Sequence, residues 1–277
     1  MTTSARLHLL VLALLWFPAH AAEVPVDAAE TPTAPATESQ QLGRKLLLGM
    51  ANYLAGLDSF TVTVRGGFDV VQDDGKKIQF LEVRNVALAR PDRLRAEETG
   101  ADGRNSLVLF DGTHVSVFDG DLGVFAQADQ PGTVDDAIIY FTRELQMRLP
   151  LAPLLTTRFP AELESRLQFV DYVETSYVFE EPAQQIVGST GIVDFQVWIA
   201  QGDRPLPQRI VLTYRGDAGQ PQYWADFIDW NIRPRISKSR FEFKPPKDAK
   251  QIVFAVQIVP PAAAPAVEDS AADGDTP

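Results

Sequence analysis

The chain contains no cysteine. That excludes disulfide staples, thiolate catalysis, cysteine-held metals and lipid attachment to a cysteine at a leader cleavage point. Histidine is almost as scarce: of three, His8 and His20 lie near the N-terminus and His114 stands alone in the rest of the chain. His-rich metal sites and paired-histidine catalysis go with them, and His114, beside the Asp111-Gly112 turn, is expected to face solvent or serve structure. No phosphate-cradling glycine motif, G-x-S-x-G elbow or H-E-x-x-H pair occurs, and Asp119-Gly120-Asp121 is too short for a calcium loop. Positive charge is in deficit as well. With 25 Lys and Arg against 37 Asp and Glu the net charge is −12, which argues against nucleic acid and against electrostatic docking on anionic headgroups.

The carboxylate pairs that do occur have plain explanations. Asp73-Asp74 and Asp102 belong to turns, and Asp135-Asp136 suits a helix N-terminus. Glu97-Glu98 sits on a strand, where successive side chains point to opposite faces. No metal and no cofactor are expected, and the expectation is a protein that is not an enzyme.

The ends of the chain are compositionally distinct. Residues 1–21 combine Arg6, the apolar run Leu7–Phe17 and an Ala19-His20-Ala21 cleavage pattern, and read as a signal peptide for export to a periplasm. Arg6 is the one charged residue in that stretch, so its removal would leave the chain one unit more negative. Residues 22–38, rich in Ala, Pro, Thr and Glu, read as a disordered leader, and residues 259–277 as an acidic, Pro- and Ala-rich tail. The remainder, residues 39–258, is expected to form a single domain. Hydrophobic residues make up 45% of the chain, enough for a substantial core.

Within that body, Leu42, Leu46, Met50 and Leu54 recur at helical spacing, flanked by Leu47, Tyr53 and Leu57. Glu38 or Ser39 is expected to cap this helix, and Gly56 or Asp58 to end it. From Phe60 to Ala128 the pattern switches to period two, continuing past Gly66-Gly67 and broken into six short strands by Asp73-Asp74-Gly75, Arg90-Pro91-Asp92, Ala101-Asp102-Gly103, Asp111-Gly112 and Gly120-Asp121. Alternation bounded by such turns predicts an antiparallel meander. Pro131-Gly132-Thr133 then introduces a helix carrying Ile138, Ile139, Phe141, Leu145 and Leu149, and a shorter one is expected over Ala161–Leu167. Strand patterning resumes at Gln168–Phe179, Asp194–Ile199, Arg209–Tyr214, Gln222–Trp230, Phe241–Phe243 and Ile252–Ile258. A single antiparallel sheet of about ten or more strands curls. The expected class is therefore α+β, an incomplete, half-open barrel whose concave face is covered by the helices.

Val86–Arg95 with its Arg90-Pro91 turn, Phe110-Asp111-Gly112-Thr113 and Val117-Phe118-Asp119 resemble the strand series of the periplasmic lipoprotein carriers, LolA and its relatives. Asp194–Ile199, Gly202-Asp203, Pro205-Leu206-Pro207, Trp230 and Pro245-Pro246 resemble more closely a group of bacterial predicted-periplasmic proteins of unknown function with the same fold. The resemblance, over about Gln41–Ile258, implies a curved sheet closed by a helical lid, with Arg90 in the place of an arginine that hydrogen-bonds to that lid. It implies a hydrophobic ligand, such as a lipid or a lipoprotein acyl chain, with Phe68, Val70, Phe80, Leu94, Phe110, Phe118, Trp198 and Leu212 expected to line its site. A monomer with a possible envelope protein partner is expected. Two other readings stay open: a scaffold whose half-barrel is solidly packed and which works through its Trp224–Trp230 edge, and a hydrolase using carboxylates and His114.

Overall fold

A computed structural model describes residues 36–147 and 149–254. The expected signal peptide at 1–21, most of the expected leader and the expected tail at 259–277 lie outside the described residues. Helix α1 spans Glu38–Ala55, and Thr37 caps it rather than Glu38 or Ser39. Thr37 Oγ1 accepts from Gln40 N at 3.2 Å while the Gln40 side chain accepts from Thr37 N at 2.9 Å, which satisfies two end-of-helix donors reciprocally. Ser39 is used elsewhere: its hydroxyl reaches the Asp171 carboxylate and donates to Tyr172 O at 2.8 Å. The helix buries Gly43, Leu47, Met50, Ala51 and Leu54, and leaves Leu42 exposed. The buried stripe is thus rotated from the leucine row towards Gly43, where helix and sheet backbones meet.

The first meander forms as its turns predict. It comprises β1 (Ser59–Val71), β2 (Lys77–Ala89), β3 (Arg93–Gly100), β4 (Asn105–Phe110), β5 (His114–Asp119) and β6 (Val124–Asp129). Strand β1 runs unbroken through Gly66-Gly67. The chain then crosses the sheet in α2 (Val134–Ile139), a wider turn at Tyr140–Glu144, a 3-10 turn at Ala152–Leu155 and α3 (Phe159–Arg166). The helix expected to run on towards Leu149 ends earlier, and the following segment, 149–155, lies across the sheet instead. A second meander follows in β7 (Phe169–Ser176), β8 (Ala183–Ser189), β9 (Val193–Ala200), β10 (Pro207–Tyr214) and β11 (Gln222–Asn231). Strand β8 is not legible as a strand in the sequence, since Pro182 and the exposed Tyr177 and Val178 precede a short run containing two glutamines.

The two meanders join edge to edge through β1 and β11. The resulting twelve-stranded sheet has the order β12-β6-β5-β4-β3-β2-β1-β11-β10-β9-β8-β7, with β12 being Lys250–Ile252. Every pairing is antiparallel except β12 with β6. β12 and β7 do not pair, so the curved sheet stays open, and the fold is α+β with helices on one face. One correction concerns the C-terminal strands: where a strand over Phe241–Phe243 is expected, Lys238–Phe241 is a 3-10 turn crossing the outer face near β3; Lys250–Ile252 joins the sheet, and 255–258 of the strand expected over Ile252–Ile258 lie outside the described residues. Pro245-Pro246 supplies no backbone donors, so that stretch cannot extend a ladder.

Gly43 is the tightest contact between α1 and the sheet. A Cβ there would lie 2.8 Å from Asp171 C and from Tyr172 N, whereas a Cβ on Gly49 of the same helix would meet nothing within 4 Å. Gly49→Ala is expected to stabilise the protein by about 0.5–1 kcal/mol through helix propensity. Gly43→Ala should instead destabilise it by about 1–3 kcal/mol, because backbone must move to admit the methyl. Urea midpoints of the two variants check this, and equal signs would contradict it.

Candidate functional site

The register of β1–β5 stacks side chains on the inner face in layers. Phe60, Leu88, Leu94, Phe110 and Val115 lie side by side across five strands, and each is almost wholly buried. This layer is solid. The next is Val62, Val86, Ala96 and Val108, smaller residues with an alanine at the centre. There the packing opens into a cavity. About 100 Å³ is open to the centre of a water molecule, inside an apolar recess of about 860 Å³ counted out to its mouth. Segment 149–155 roofs it with Leu149, Leu151, Leu154 and Leu155, and Leu54 of α1 and Ile138 of α2 close the sides. The space between sheet and helices is thus filled at one end and hollow beside it.

Phe227 and Trp230 of β11 supply the remaining wall. Residues three apart on a strand ordinarily face opposite ways. Here the β1–β11 register slips between Thr61 and Thr63, and Asp229 takes φ of 55°, so a bulge returns Trp230 to the inner face. Its ring stacks on Phe227 at 5.9 Å and meets Phe60 at 5.3 Å, and Trp230 Nε1 donates to Pro207 O at 3.1 Å.

The layer beyond the cavity is polar. Arg84 and Glu98 line the cavity together with Ser106, and Glu82 stands one layer further along β2. Arg84 Nε donates to Glu98 Oε2 at 2.8 Å, Arg84 Nη2 lies 2.9 Å from Glu82 Oε1, and Tyr223 Oη donates to the same oxygen at 3.2 Å. Gly66 makes room for this group, since a Cβ there would lie 2.9 Å from Trp224 O and 3.3 Å from Tyr223 Oη. Glu82 is only 6% exposed. Past the belt, the inner face becomes apolar again but uncovered, with Val70, Ile78 and Phe80 exposed.

The expected lining residues divide three ways. Leu94 lines the cavity, and Phe110 is fully buried in the solid layer beside it. Phe68, Val70 and Phe80 are on the same face but beyond the polar belt, with Phe68 and Phe80 stacked at 5.9 Å. Leu212 belongs to that row through Tyr223, which pairs with both Phe68 and Leu212. Phe118 and Trp198 are on the outer face. Phe118 is registered with Leu107 and Phe125, and Trp198 with Arg209, so neither reaches the cavity. Sequence reading passes over Arg84, Glu82 and Ser106, and explains Glu98 as a strand residue. The signal is present in β2, where Glu82 and Arg84 interrupt the series Ile78, Phe80, Val86, Leu88.

Arg90 lies where the roof meets the sheet. Its Nε donates to Leu57 O at 3.0 Å, just beyond α1, and its Nη1 donates to Leu155 O at 2.9 Å. Asp135 of α2 is 3.9 Å away, and the same carboxylate accepts from Thr157 N at 3.0 Å and Thr157 Oγ1 at 2.6 Å. One arginine and one aspartate thus connect α1, α2 and the end of the roofing segment. Burial lowers the pKa of the guanidinium, against the pull of Asp135 and Asp58. His114 is elsewhere, on the β4–β5 turn, with Nδ1 2.8 Å from Thr113 Oγ1 and Nε2 3.4 Å from Asp129.

Burial pushes the Glu82 carboxyl above its ordinary value; Arg84 opposes this, Glu98 adds to it and the Tyr223 hydroxyl opposes it. The folded state holds this proton more tightly than the unfolded chain does. Its contribution to stability is therefore fully present below about pH 4.5 and is lost as pH rises through the elevated value. The stability of the wild type relative to Glu82→Gln should fall as pH rises above about 4.5. Urea unfolding from below that value upward measures it, and a pH-independent difference would contradict the assignment.

The family described as "Predicted periplasmic protein (DUF2092)" matches residues 43–255. Among curated proteins none matches the sequence. Solved structures similar to this chain include an uncharacterized conserved protein from Thermus thermophilus, at 13% identity and TM-score 0.44, covering 77% of this chain and 99% of that one. Another is the Mycobacterium tuberculosis lipoprotein LppX, at 17% identity and TM-score 0.43, covering 72% and 100%. A third is a LolA superfamily protein from Nitrosomonas europaea, at 13% identity and TM-score 0.36, covering 73% and 97%. Likenesses this loose transfer neither a ligand nor an activity. The match over residues 43–255 assigns the chain to the DUF2092 family of predicted periplasmic proteins.

Proposed function

We propose that this protein is a non-enzymatic periplasmic binding protein that holds an apolar ligand, a lipid or the acyl chain of an acylated protein, in the cavity beneath segment 149–155. The observation that carries this reading is the cavity itself: an apolar void framed by Val62, Val86, Ala96 and Val108 under a roof of leucines. Ligand sites are concave and mostly apolar, with a few polar groups, which fits this composition. Each methylene buried there contributes about 0.8 kcal/mol, so even a short stretch of chain is bound usefully. Arg90 acts as the latch of the roof, since its bond to Leu155 O must break before the segment can lift.

Lipid extraction and mass spectrometry of the protein taken from its native periplasm is the direct test, with a co-purifying lipid expected. Ala96→Phe, which fills the void, is expected to weaken binding of the fluorescent apolar probe N-phenylnaphthylamine at least tenfold, whereas Trp198→Ala on the outer face leaves it unchanged. Arg90→Leu leaves two carbonyls without their charged donor, and should cost about 1.5–3 kcal/mol of stability and speed probe entry. Recovery of no lipid, together with probe affinity indifferent to Ala96→Phe, would overturn the proposal.

A further inference from the structure

The cavity is apolar on every side except one. At that side Arg84, Glu98 and Ser106 face the void, and their chemistry is asymmetric. Arg84 is already engaged: Nε by Glu98, Nη2 by Glu82, and Nη1 3.4 Å from Tyr223 Oη, with the guanidinium 5.9 Å from the centre of that ring. Its side chain is 19% exposed, against 36% for Glu98. Only one oxygen of Glu98 is used by Arg84. Glu98 Oε1 and Ser106 Oγ have no hydrogen-bond partner among the described residues. With the guanidinium engaged by both carboxylates, what the group offers to the void is a carboxylate oxygen and a hydroxyl that no other described residue takes up.

An unmatched acceptor at the end of an apolar recess selects its occupant by charge. A phosphate or carboxylate brought there would face the Glu98 carboxylate at close range with Arg84 already spoken for, and like charges repel. An ammonium or hydroxyl group would instead donate a charge-assisted bond to Glu98 Oε1, with an ion pair added in the first case. Resting on the cavity reading above, we infer that Glu98, with Ser106 beside it and Arg84 and Glu82 holding it, is the head-group subsite of the cavity. The ligand is then an amphiphile whose polar end is a cationic amine or a hydroxyl rather than an anion. Glu98 is the residue that touches the head group, while Arg84 and Glu82 position it.

The test is competition of dodecylamine, dodecanol and dodecanoate, one chain with different head groups, against N-phenylnaphthylamine on the purified full chain below their micelle concentrations. Dodecanoate is expected to bind at least tenfold more weakly than dodecylamine, with dodecanol between them, and Glu98→Gln should close most of that gap while the affinity for dodecanol stays nearly constant. Dodecanoate binding as tightly as dodecylamine, or a gap that Glu98→Gln leaves intact, would overturn the head-group assignment and leave the cavity reading standing. Failure of the probe itself to bind would overturn the cavity reading and this assignment with it. Should Glu98→Gln not fold, the wild-type ranking alone decides.

Discussion

The pairing of β1 with β11 is the contact on which the rest of the structure depends. It joins residues far apart in sequence, Val64 to Phe227 and Phe68 to Tyr223, and makes one sheet of two meanders that each close only on themselves. Such non-local pairing is costly in chain entropy and forms only if the joined face is then buried. The seam also carries the features that make a cavity rather than a plain core. The bulge at Asp229 turns Trp230 inward, and Gly66 leaves room for the Tyr223 hydroxyl and the Glu82 carboxylate.

Twelve strands present more inner face than a few helices can cover. α1 packs on β7 through Gly43, the segment after α2 lies over β1–β4, and the distal ends of β1 and β2 remain bare. Between covered and bare regions stands the Glu82–Arg84–Glu98–Tyr223 group. A buried ion network adds little to stability relative to well-packed apolar side chains, since desolvation offsets the attraction, although removing one partner is expensive. The network's position at the rim of a void, where an apolar layer would serve folding equally well, therefore directs attention to recognition.

Parts of this were legible in the sequence for identifiable reasons. Asp-Gly and Pro turns are local chemistry, so the six strands of the first meander follow from them, and the alternation that continues past Gly66-Gly67 is the single strand β1. Arg90 stood out through its resemblance to a known turn, and its hydrogen bonds to Leu57 O and Leu155 O give it a structural role. Trp198 could have been placed, since strict alternation groups it with Asp194 and Gln196 rather than with Phe195, Val197 and Ile199. Phe118 could have been placed in the same way, since alternation groups it with His114 and Ser116 rather than with Val115 and Val117.

The local pattern of residues determined the elements: capped helix, period-two strands and turns, each set by interactions within a few positions of the chain. It also determined that one face of the sheet would be apolar and would need cover. Only the tertiary structure decided which alternating set faced inward, because a strand's facing depends on what packs against it. The void at Ala96 likewise arises from four strands in register, the inward Trp230 from a bulge, and the polar end of the cavity from Glu98 meeting Arg84 across two strands. Each is a relation between residues that the chain separates and the fold brings together.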